Sequence, residues 1–469
     1  MTFNVRNICC IGAGYVGGPT MAVIADRCPH IQVNVVDLNK ERIFNWNHSD
    51  LSKLPVYEPG LDEVIKRCRG RNLSFSMDVQ KCISIADMIF ISVNTPTKEK
   101  GIGAGQASDI KWVERSARQV ASFSQGQTIV VEKSTLPVKT AETIKAILEA
   151  SMDPNDLDSK SFFVLSNPEF LAEGTAINDL ENPDRVLIGG EDKNAIESLA
   201  NIYLNWVSPS KILRTNLWSS ELSKLTANAF LAQRISSINS ISAVCEATGA
   251  DVNEVALAIG MDKRIGPEFL KSGPGFGGSC FKKDILNLVY LCNYYGLEES
   301  ANYWQNVVLL NEWQKKRISR LVVEKLFGTI SGKRVTILGF AFKANTNDTR
   351  ESPAIDICKD LLEEGGNLSI YDPRVSENQI EIDLGIKSST TDKDYMEGSW
   401  TLYDSMEKSF KDSDAILIMT DWEEFRTIDW ESVVKNMRAP SWLLDSRAVS
   451  DLASAKAAGL NIWRVGYGE

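Results

Sequence analysis

One stretch of the chain surrounds a cysteine with the features that make a thiol nucleophilic. Residues 273–284 read GPGFGGSCFKKD, and a periodic apolar run at residues 285–295 predicts a helix directly after them. Cys280 would lie at a helix start, where unpaired N–H groups and the helix dipole favour an anion. Lys282 and Lys283 add positive charge. The pattern predicts an activated thiolate; the alternative is a small buried apolar side chain.

Acid–base chemistry has to come from Lys, Asp, Glu or Cys side chains, because the 469 residues include only two histidines. Lys224 and Asn228 lie four residues apart in a stretch with helical periodicity, so both would lie on one helix face. Cys280 and Asp284 have the same spacing. A lysine that faces inward can act as a general base because burial lowers the pKa of an ammonium group, whereas a surface lysine extends into water. The spacing leaves both interpretations open.

The stretch NPEFLAE, residues 167–173, predicts a helix start with Asn167 at the N-cap and Pro168 at the first helical position. Glu169 and Glu173 would then share a face. They either complement the helix dipole or take part in chemistry.

A glycine-rich turn follows the first predicted strand and opens a helix. Its residues are Gly12, Ala13, Gly14, Tyr15, Val16 and Gly17. Asp37 ends the next predicted strand, 20 residues beyond Gly17, which is the arrangement of a dinucleotide-binding fingerprint. A carboxylate there can bind the adenosine ribose, so NAD is favoured over NADP. Arg42, one turn beyond Asp37, weakens this preference slightly.

Two more turns follow predicted strands at their carboxyl ends, the edge at which open α/β sheets bind ligands. They contain Val93, Asn94, Thr95, Pro96 and Thr97, and Glu132, Lys133, Ser134 and Thr135. Such turns are common without a ligand, but because the chain also contains the glycine motif, we expect these two turns to contact the cofactor.

Short β-branched runs alternate with helical periods at both ends of the chain, which is typical of parallel sheets covered by helices. The predicted strands are 7–11, 32–37, 73–76, 88–93, 128–132, 162–165, 335–338, 367–371, 415–419, 442–445 and 461–465. Long helical periods at 220–249 and 302–327 predict a helical middle. The fold class is therefore α/β, with two Rossmann-like doubly wound domains, 1–217 and 329–469, joined by a central region of long helices, 218–328.

The last domain lacks GxGxxG, so a second NAD is not expected there. Lys343, Arg350 and Arg447 follow its strands and could hold another phosphate-bearing ligand, with Asp372 ending a strand beside them. The polar insert at residues 386–400 predicts a surface loop.

Composition excludes several classes of protein. A net charge of −11 argues against a nucleic-acid partner. No apolar run is long enough for a membrane span, and no signal peptide is found, so a cytoplasmic location is expected. The nine cysteines are scattered and are expected to be reduced thiols. No CxxC pair or HExxH run occurs, and no metal is predicted.

An NAD site, an activated thiol and an inward lysine together predict an oxidoreductase that forms a covalent intermediate. An aldehyde has no alkoxide from which to expel a second hydride, but addition of a thiolate creates one. The resulting thiohemiacetal can be oxidised to a thioester, which water hydrolyses to an acid.

The sequence resembles the UDP-glucose 6-dehydrogenases of the UDP-glucose/GDP-mannose dehydrogenase family, in their animal-like form. The resemblance rests on GAGYVGGP, FISVNTPT, EKSTLPV, SNPEFLAEGTAI, NPDRVLIGG, SSELSKLTANAFLA, GFGGSCFKKD, GFAFK and NDTRESPA, and it runs from about residue 7 to residue 465. It implies oxidation of UDP-glucose to UDP-glucuronate with two NAD+, NAD binding by the first domain, UDP binding by the last, and an active site between them.

The resemblance also implies roles for individual residues. Cys280 is the nucleophile, Lys224 the acid/base, and Glu169 assists thioester hydrolysis, with support from Asn228 and Asp284. The implied cofactor contacts, besides the glycine motif and the residues that follow the strands, are Ser134, Thr135, Leu136, Glu173, Cys280, Lys283 and Arg350. The implied substrate contacts are Glu169, Phe170, Leu171, Ala172, Glu173, Lys224, Asn228, Arg264, Phe269, Lys271, Ser272, Gly273, Gly275, Phe276, Gly277, Phe342, Lys343 and Arg447.

Arg264 matches an arginine that the family lends to a neighbouring subunit's site, which implies a homo-oligomer, a hexamer built from dimers, with UDP-xylose as feedback inhibitor. The chain departs from the animal pattern at residues 103–106 and at Ala344 and Asn345, where positive charge is missing, so allosteric behaviour stays open. The alternative functions are oxidation of another nucleotide sugar, such as a UDP-N-acetylhexosamine or GDP-mannose, and a non-catalytic sensor of NAD or a nucleotide sugar.

Overall fold

A computed structural model describes residues 3–134, 139–152, 160–389 and 398–468. These residues form two compact units. One contains the chain up to Ala227 together with Leu286–Gly296, and the other contains Asn228–Ile285 and the chain from Leu297 onward. The division into three domains at 217 and 328 stays a prediction.

The first unit is built on an eight-stranded sheet with the strand order β3-β2-β1-β4-β5-β6-β7-β8. Its strands are β1 Asn7–Ile11, β2 Gln32–Val36, β3 Leu73–Ser76, β4 Met88–Ile91, β5 Gly126–Glu132, β6 Lys160–Ser166, β7 Val186–Gly190 and β8 Ile212–Thr215. All neighbours are parallel except β6 and β7, which pair antiparallel. The first six strands therefore have the doubly wound order 3-2-1-4-5-6.

Helices cover this sheet on both faces. They are α1 Gly17–Arg27, α2 Lys40–Trp46, α3 Leu61–Cys68, α4 Val79–Ser84, α5 Lys111–Phe123, α6 Thr140–Glu149, α7 Ala176–Glu181 and α8 Lys193–Tyr203. Side chains of β1 alternate between two buried clusters, with Ile8 and Cys10 in one and Cys9 and Ile11 in the other. A strand that is apolar on both faces belongs in the middle of a covered parallel sheet, which explains its continuous apolar sequence.

Four helices follow: α9 Leu217–Thr248, α10 Val252–Gly260, α11 Phe281–Tyr294 and α12 Glu298–Lys325. The unit boundary falls within α9, between Ala227 and Asn228, and within α11, between Ile285 and Leu286.

The second unit contains a six-stranded, fully parallel sheet with the order β11-β10-β9-β12-β13-β14. Its elements are β9 Arg334–Leu338, α13 Pro353–Glu363, β10 Asn367–Tyr371, α14 Glu377–Leu384, β11 Ser399–Leu402, α15 Met406–Ser409, β12 Ala415–Ile418, α16 Trp430–Val434, β13 Trp442–Asp445, α17 Leu452–Ala457 and β14 Asn461–Arg464. Numbered from β9, the strands again follow the order 3-2-1-4-5-6. The predicted fold class of two Rossmann-like sheets with long helices is confirmed.

Two structural expectations were wrong. The sequence analysis missed β7, β8 and β11, and it placed Ser399 and Trp400 in a surface loop. Both residues lie in β11, and Trp400 is completely buried in the second unit's core. Residues 390–397 of the same insert lie outside the described residues. In the described part of the chain, no helix has the length and apolar character that crossing a membrane requires.

Candidate active site

The glycine motif between β1 and α1 has the shape that a dinucleotide needs. Gly12 has a φ of 110°, and a Cβ on it would lie 2.1 Å from the carbonyl oxygen of Ser92. A Cβ on Gly17 would lie 2.1 Å from the carbonyl oxygen of Gly12, whereas one on Gly14 would meet no described atom within 4 Å. Packing therefore requires the first and third glycines, and the second leaves the backbone open to a pyrophosphate. The residues present fit NAD.

Asp37 follows β2 and connects to the glycine motif. Its Oδ2 accepts hydrogen bonds from the backbone N–H of Ala13 at 3.0 Å and from Nη1 of Arg42 at 2.9 Å. Its Oδ1 accepts from the N–H of Asn39 at 2.9 Å. Arg42 is paired with Asp37 and is therefore less available to bind the 2′-phosphate of NADP. This arrangement favours NAD.

The turns after β4 and β5 lie beside the glycine motif, because β4 neighbours β1 and β5 neighbours β4. The Ser134 hydroxyl donates to the carbonyl oxygen of Val93 at 2.7 Å, which joins the two turns. The carbonyl oxygen of Pro96 accepts from the N–H of Asp109 at 2.7 Å. Thr135 and Leu136 lie outside the described residues.

A buried ammonium group holds Glu169. Lys133 is 3% exposed, and its Nζ lies 2.9 Å from Oε2 of Glu169, 3.0 Å from Oδ1 of Asn167 and 3.2 Å from the hydroxyl of Tyr203. The other oxygen of Glu169 accepts from its own loop, at the N–H of Phe170 and of Leu171.

This network sets the charge of both partners. Burial raises the pKa of the Glu169 carboxyl, but the charge of Lys133 and three hydrogen bonds outweigh it, so that the pKa lies below its usual value. Burial lowers the pKa of the Lys133 ammonium, and Glu169 and Tyr203 reverse the effect, so that the pKa is raised. Glu169 is therefore a carboxylate at neutral pH.

The helix start predicted at Asn167 was wrong. Residues 167–175 form a loop, and the helix α7 begins at Ala176. The side-chain amide of Asn167 does not cap a helix, because it bonds Lys133, Tyr203 and the carbonyl oxygen of Leu187. Glu169 and Glu173 consequently share no helix face.

Buried Glu58 holds the far end of this loop through the N–H groups of Gly174 and Ala176, at 2.8 and 3.1 Å. Ala172 donates its N–H to Oδ2 of Asp179 at 2.9 Å. No sequence signal pointed to Glu58.

Lys224 is buried on α9, as the inward-facing interpretation requires. Its Nζ lies 5.2 Å from the centre of the Phe170 ring, and the guanidinium carbon of Arg185 lies 4.0 Å from the same centre. The loop that carries Glu169 therefore also supplies the aromatic contact of Lys224.

Cys280 immediately precedes α11, as predicted. Its carbonyl oxygen accepts the first bond of the helix, from the N–H of Asp284 at 2.8 Å. Its thiol is half-buried and lies 3.4 Å from the hydroxyl of Ser279. The other cysteines are buried, so Cys280 is the most accessible of the nine thiols.

The structure brings Asn228 and Asp284 together. Both side chains are buried, and Nδ2 of Asn228 donates to Oδ2 of Asp284 at 2.5 Å. Nζ of Lys283 lies 3.4 Å from the other oxygen of Asp284. The carboxylate of Asp284 is thus fixed one helical turn after Cys280.

Lys282 contributes less positive charge than the sequence suggested. Its Nζ lies 3.0 Å from Glu351 and 3.4 Å from Glu312. Burial lowers the pKa of this ammonium, and the two carboxylates outweigh it, so that the pKa is raised. The positive charge that Lys282 was expected to add beside Cys280 is therefore largely compensated by Glu351 and Glu312.

The 271–277 loop, which was predicted to contact the substrate, is held by three buried amide side chains. Asn239 on α9 accepts from the N–H of Gly273 at 2.8 Å, and Gln314 on α12 donates to the carbonyl oxygen of Gly273 at 2.8 Å. Asn311, one turn before Gln314, accepts from the N–H of Phe276 at 2.8 Å and donates to its carbonyl oxygen at 3.1 Å. The loop conformation is fixed by these bonds.

Charged side chains anchor the start of this loop. Lys271 lies 3.0 Å from Oδ2 of Asp421. Arg447 donates to the carbonyl oxygens of Met419 and Phe342, at 2.7 and 3.0 Å. A Cβ on Gly273 would lie 3.3 Å from Nη1 of Arg447, so the loop packs against this guanidinium. Asp421 was missed by the sequence analysis because no motif marks it.

The other predicted substrate residues of the second unit have ordinary local contacts. Arg264 is largely exposed and forms a bidentate pair with Asp262, and Phe269 has a φ of 60°. Arg350 pairs with Asp348, and Lys343 lies 5.5 Å from the centre of the Phe342 ring. The substrate and cofactor roles of these residues stay predictions.

Comparisons with known proteins agree with this geometry. Three models of the UDP-glucose/GDP-mannose dehydrogenase family match the chain: the NAD binding domain at residues 6–207, the central domain at 218–313 and the UDP binding domain at 336–452. The chain belongs to this family. Membership also makes NAD the cofactor of the first unit.

Individual relatives match over almost their whole length. The chain is 52% identical over 475 residues to UDP-glucose 6-dehydrogenase 3 of Oryza sativa subsp. japonica, covering 98% of this chain and 96% of the relative. It is 54% identical over 463 residues to UDP-glucose 6-dehydrogenase of Drosophila melanogaster, with the same coverage. A solved UDP-glucose dehydrogenase from the archaeon Pyrobaculum islandicum superposes with a TM-score of 0.84 at 29% identity, covering 99% of this chain and 98% of that one.

Proposed function

We propose that the chain oxidises UDP-glucose to UDP-glucuronate with two NAD+ and one water, and that the carbon under oxidation is held by Cys280 between the two oxidations. The family and the relatives' names support the reaction. The observation that supports the covalent step is the half-buried thiol of Cys280 at the N-terminus of α11, with the fixed pair Asn228 and Asp284 one turn away.

The proposed steps assign one task to each group. Lys224 takes the proton of the sugar's primary hydroxyl as a hydride leaves its carbon, which gives an aldehyde. The Cys280 thiolate adds to the aldehyde, and the alkoxide so formed expels a second hydride to leave a thioester. NAD+, when bound, supplies the hydride acceptor for both oxidations.

Water then hydrolyses the thioester and releases the thiol. Glu169 is suited to assist, because Lys133 keeps it as a carboxylate that can accept a proton from the attacking water. In total the substrate and one water release two hydrides and three protons.

The experiment is a stoichiometric assay of NADH with a panel of nucleotide sugars, on the unmodified chain and on Cys280→Ser. We expect two NADH per UDP-glucose, and no UDP-glucuronate from Cys280→Ser. Cys292→Ser is the matched control, because Cys292 is a buried thiol of the same helix and should be dispensable. Near-normal UDP-glucuronate formation by Cys280→Ser would rule out the covalent step.

Other outcomes favour the alternatives. One NADH per substrate indicates a simple alcohol dehydrogenase. Faster turnover of a UDP-N-acetylhexosamine or GDP-mannose indicates a different sugar, and binding without NADH indicates a sensor.

The proposed homo-oligomer, a hexamer built from dimers, is supported by apolar side chains that this chain leaves exposed on α9 and α10. Phe230, Ile241 and Val244 lie on one face of α9, and Leu257 on α10 lies one turn before Met261, which directly follows that helix. Light scattering on a size-exclusion column tests the assembly, and Val244→Glu should reduce the mass if this face is an interface. An unchanged mass would exclude it.

We also propose inhibition by UDP-xylose and a cytoplasmic location. Xylose lacks the carbon that is oxidised, so UDP-xylose could bind the same nucleotide site without reacting. Initial rates at increasing UDP-xylose concentration test the inhibition, and rates that stay constant would exclude it. A fluorescent fusion protein tests the location, and a fusion that enters another compartment would exclude a cytoplasmic one.

A further inference from the structure

A buried tryptophan contacts the glycine motif, and neither the sequence analysis nor the proposed reaction gives it a role. Trp46 is the last residue of α2 and is completely buried in the core of the first unit. Its indole N–H donates to the carbonyl oxygen of Ala13 at 2.9 Å, in the turn between β1 and α1. A buried indole N–H needs an acceptor, and here the acceptor belongs to the turn that faces the cofactor.

The indole ring is fixed by its neighbours. It stacks on the ring of Phe75 in β3, with 4.6 Å between the ring centroids and an angle of 4° between the ring planes. It also packs against α1, because a Cβ on Gly18 would lie 2.2 Å from Cζ2 of Trp46. This close approach explains the glycine that follows Gly17 in GAGYVGGP. The donor at Ala13 is therefore held by core packing.

Two hydrogen bonds hold Ala13, one at each of its peptide groups. Its N–H donates to Oδ2 of Asp37 at 3.0 Å, and its carbonyl oxygen accepts from Trp46. The peptide between Ala13 and Gly14 is planar and trans, so the N–H of Gly14 points opposite to the carbonyl of Ala13. That carbonyl points into the core, at Trp46, so the N–H of Gly14 points out of the core.

The orientation of this peptide matters for a phosphate. Gly14 is the glycine around which the backbone lies open, because a Cβ there would meet no described atom within 4 Å. An outward N–H at the start of a helix can donate to a pyrophosphate. If the peptide turned over, the carbonyl oxygen of Ala13 would face the phosphate oxygens and repel them. The hydrogen bond from Trp46 opposes that rotation.

We propose that Trp46 is a positioning residue for the pyrophosphate of NAD, and that its indole N–H keeps the N–H of Gly14 directed at the cofactor. The inference rests on NAD binding by the first unit and is independent of the covalent step at Cys280.

Trp46→Phe tests this role, because the phenyl ring keeps much of the apolar packing and lacks the indole N–H. Titration calorimetry on the full chain, without substrate, should show a Kd for NAD+ about tenfold higher, which corresponds to about 1.4 kcal/mol. ADP-ribose has the pyrophosphate and no nicotinamide, so its Kd should rise by the same factor. In initial-rate measurements KM for NAD+ should rise, while kcat and KM for UDP-glucose stay nearly unchanged.

Trp206→Phe is the matched control. The indole N–H of Trp206 also donates to a backbone carbonyl oxygen of the first unit, that of Leu180 at 2.9 Å, but Leu180 lies in α7 and not in the glycine motif. Both variants lose one tryptophan hydrogen bond and should lower Tm. Only Trp46→Phe should weaken the binding of NAD+ and ADP-ribose.

Gly18→Ala perturbs the same contact from the other side, because its methyl group has to displace the ring of Trp46. It should raise the Kd for ADP-ribose as Trp46→Phe does, and it decides the question if Trp46→Phe does not fold. An unchanged Kd for ADP-ribose in Trp46→Phe would overturn the inference, as would an equal rise in Trp206→Phe. Binding is measured without turnover, so a failure of the covalent step at Cys280 would leave these results unaffected.

Discussion

Replacing Lys133 by methionine tests whether its ammonium neutralises Glu169. The three N–H groups of Lys133 all have acceptors, so the substitution leaves Oε2 of Glu169 without its donor, whereas Oε1 keeps two backbone N–H groups. Breaking a buried ion pair on one side costs about 3–5 kcal/mol. The Glu169 side chain is 15% exposed, which places the expected cost near the lower end, about 3 kcal/mol.

Thermal unfolding measures this cost. For a unit of this size, a loss of about 3 kcal/mol lowers Tm by roughly 6–12 °C. The double variant Lys133→Met, Glu169→Gln removes the uncompensated charge, so it should recover at least half of the loss. Lys145→Met is the matched control, because it breaks the exposed pair Lys145–Glu191 and should change stability by less than about 1 kcal/mol.

One result would refute the reasoning. If Lys133→Met and the double variant lower Tm equally, the loss comes from packing, and Lys133 does not neutralise Glu169. If the pairing is correct, Lys133→Met also raises the pKa of Glu169, so that the proposed hydrolysis step should slow at pH 7 and recover as the pH rises.

Three further predictions concern the ligand-facing parts of each unit. Burial raises the pKa of Asp421, but the charges of Arg447 and Lys271 outweigh it and lower the pKa to about 2, below the value of about 3.9 in an unfolded chain. The stabilisation is therefore full above pH 5, falls to roughly half at pH 3 and is lost below pH 2. Asp421→Asn should accordingly lower Tm at pH 7 and by roughly half as much at pH 3, and an equal effect at both would contradict this. Asn311→Ala should raise KM for UDP-glucose about tenfold or more with a smaller effect on kcat, because the 271–277 loop, predicted to contact the substrate, loses two hydrogen bonds; an unchanged KM in initial-rate measurements would exclude this role. Asp37→Ser should raise KM for NAD+ and reduce the ratio of kcat/KM for NAD+ to kcat/KM for NADP+. If the KM and kcat values for both cofactors are unchanged, the Asp37 carboxylate does not bind the ribose.

The sequence predicted the two sheets well because buried parallel strands are continuous apolar runs between helical periods. β7 and β8 were missed for local reasons. β7 ends in two glycines, and β8 has only four residues, of which two are exposed. Their place in the sheet depends on pairing with each other, which a single-sequence pattern does not report.

The candidate site shows the same limit at the level of side chains. Cys280 at a helix start could be predicted because the signal is local, a glycine loop followed by a periodic run. The helix start at Asn167 failed because Lys133 and Tyr203, distant in sequence, take its amide group. Similarly, the sequence predicted that Lys282 adds positive charge near Cys280. Its pairing with Glu351, which is distant in sequence, could not be predicted from a local pattern.

The two units are interleaved along the chain, and this has a consequence for biosynthesis. The first unit needs Leu286–Gly296, which a ribosome makes only after the whole of Asn228–Ile285. A nascent chain that has reached Ala227 therefore lacks part of its first unit. The apolar side chains that pack against Leu286–Gly296 stay exposed until that segment has been translated, and such exposed apolar surface promotes aggregation. A truncated gene that ends at the unit boundary would encode only about the first third of α9 and no part of α11. Fragments for expression should therefore extend beyond Gly296.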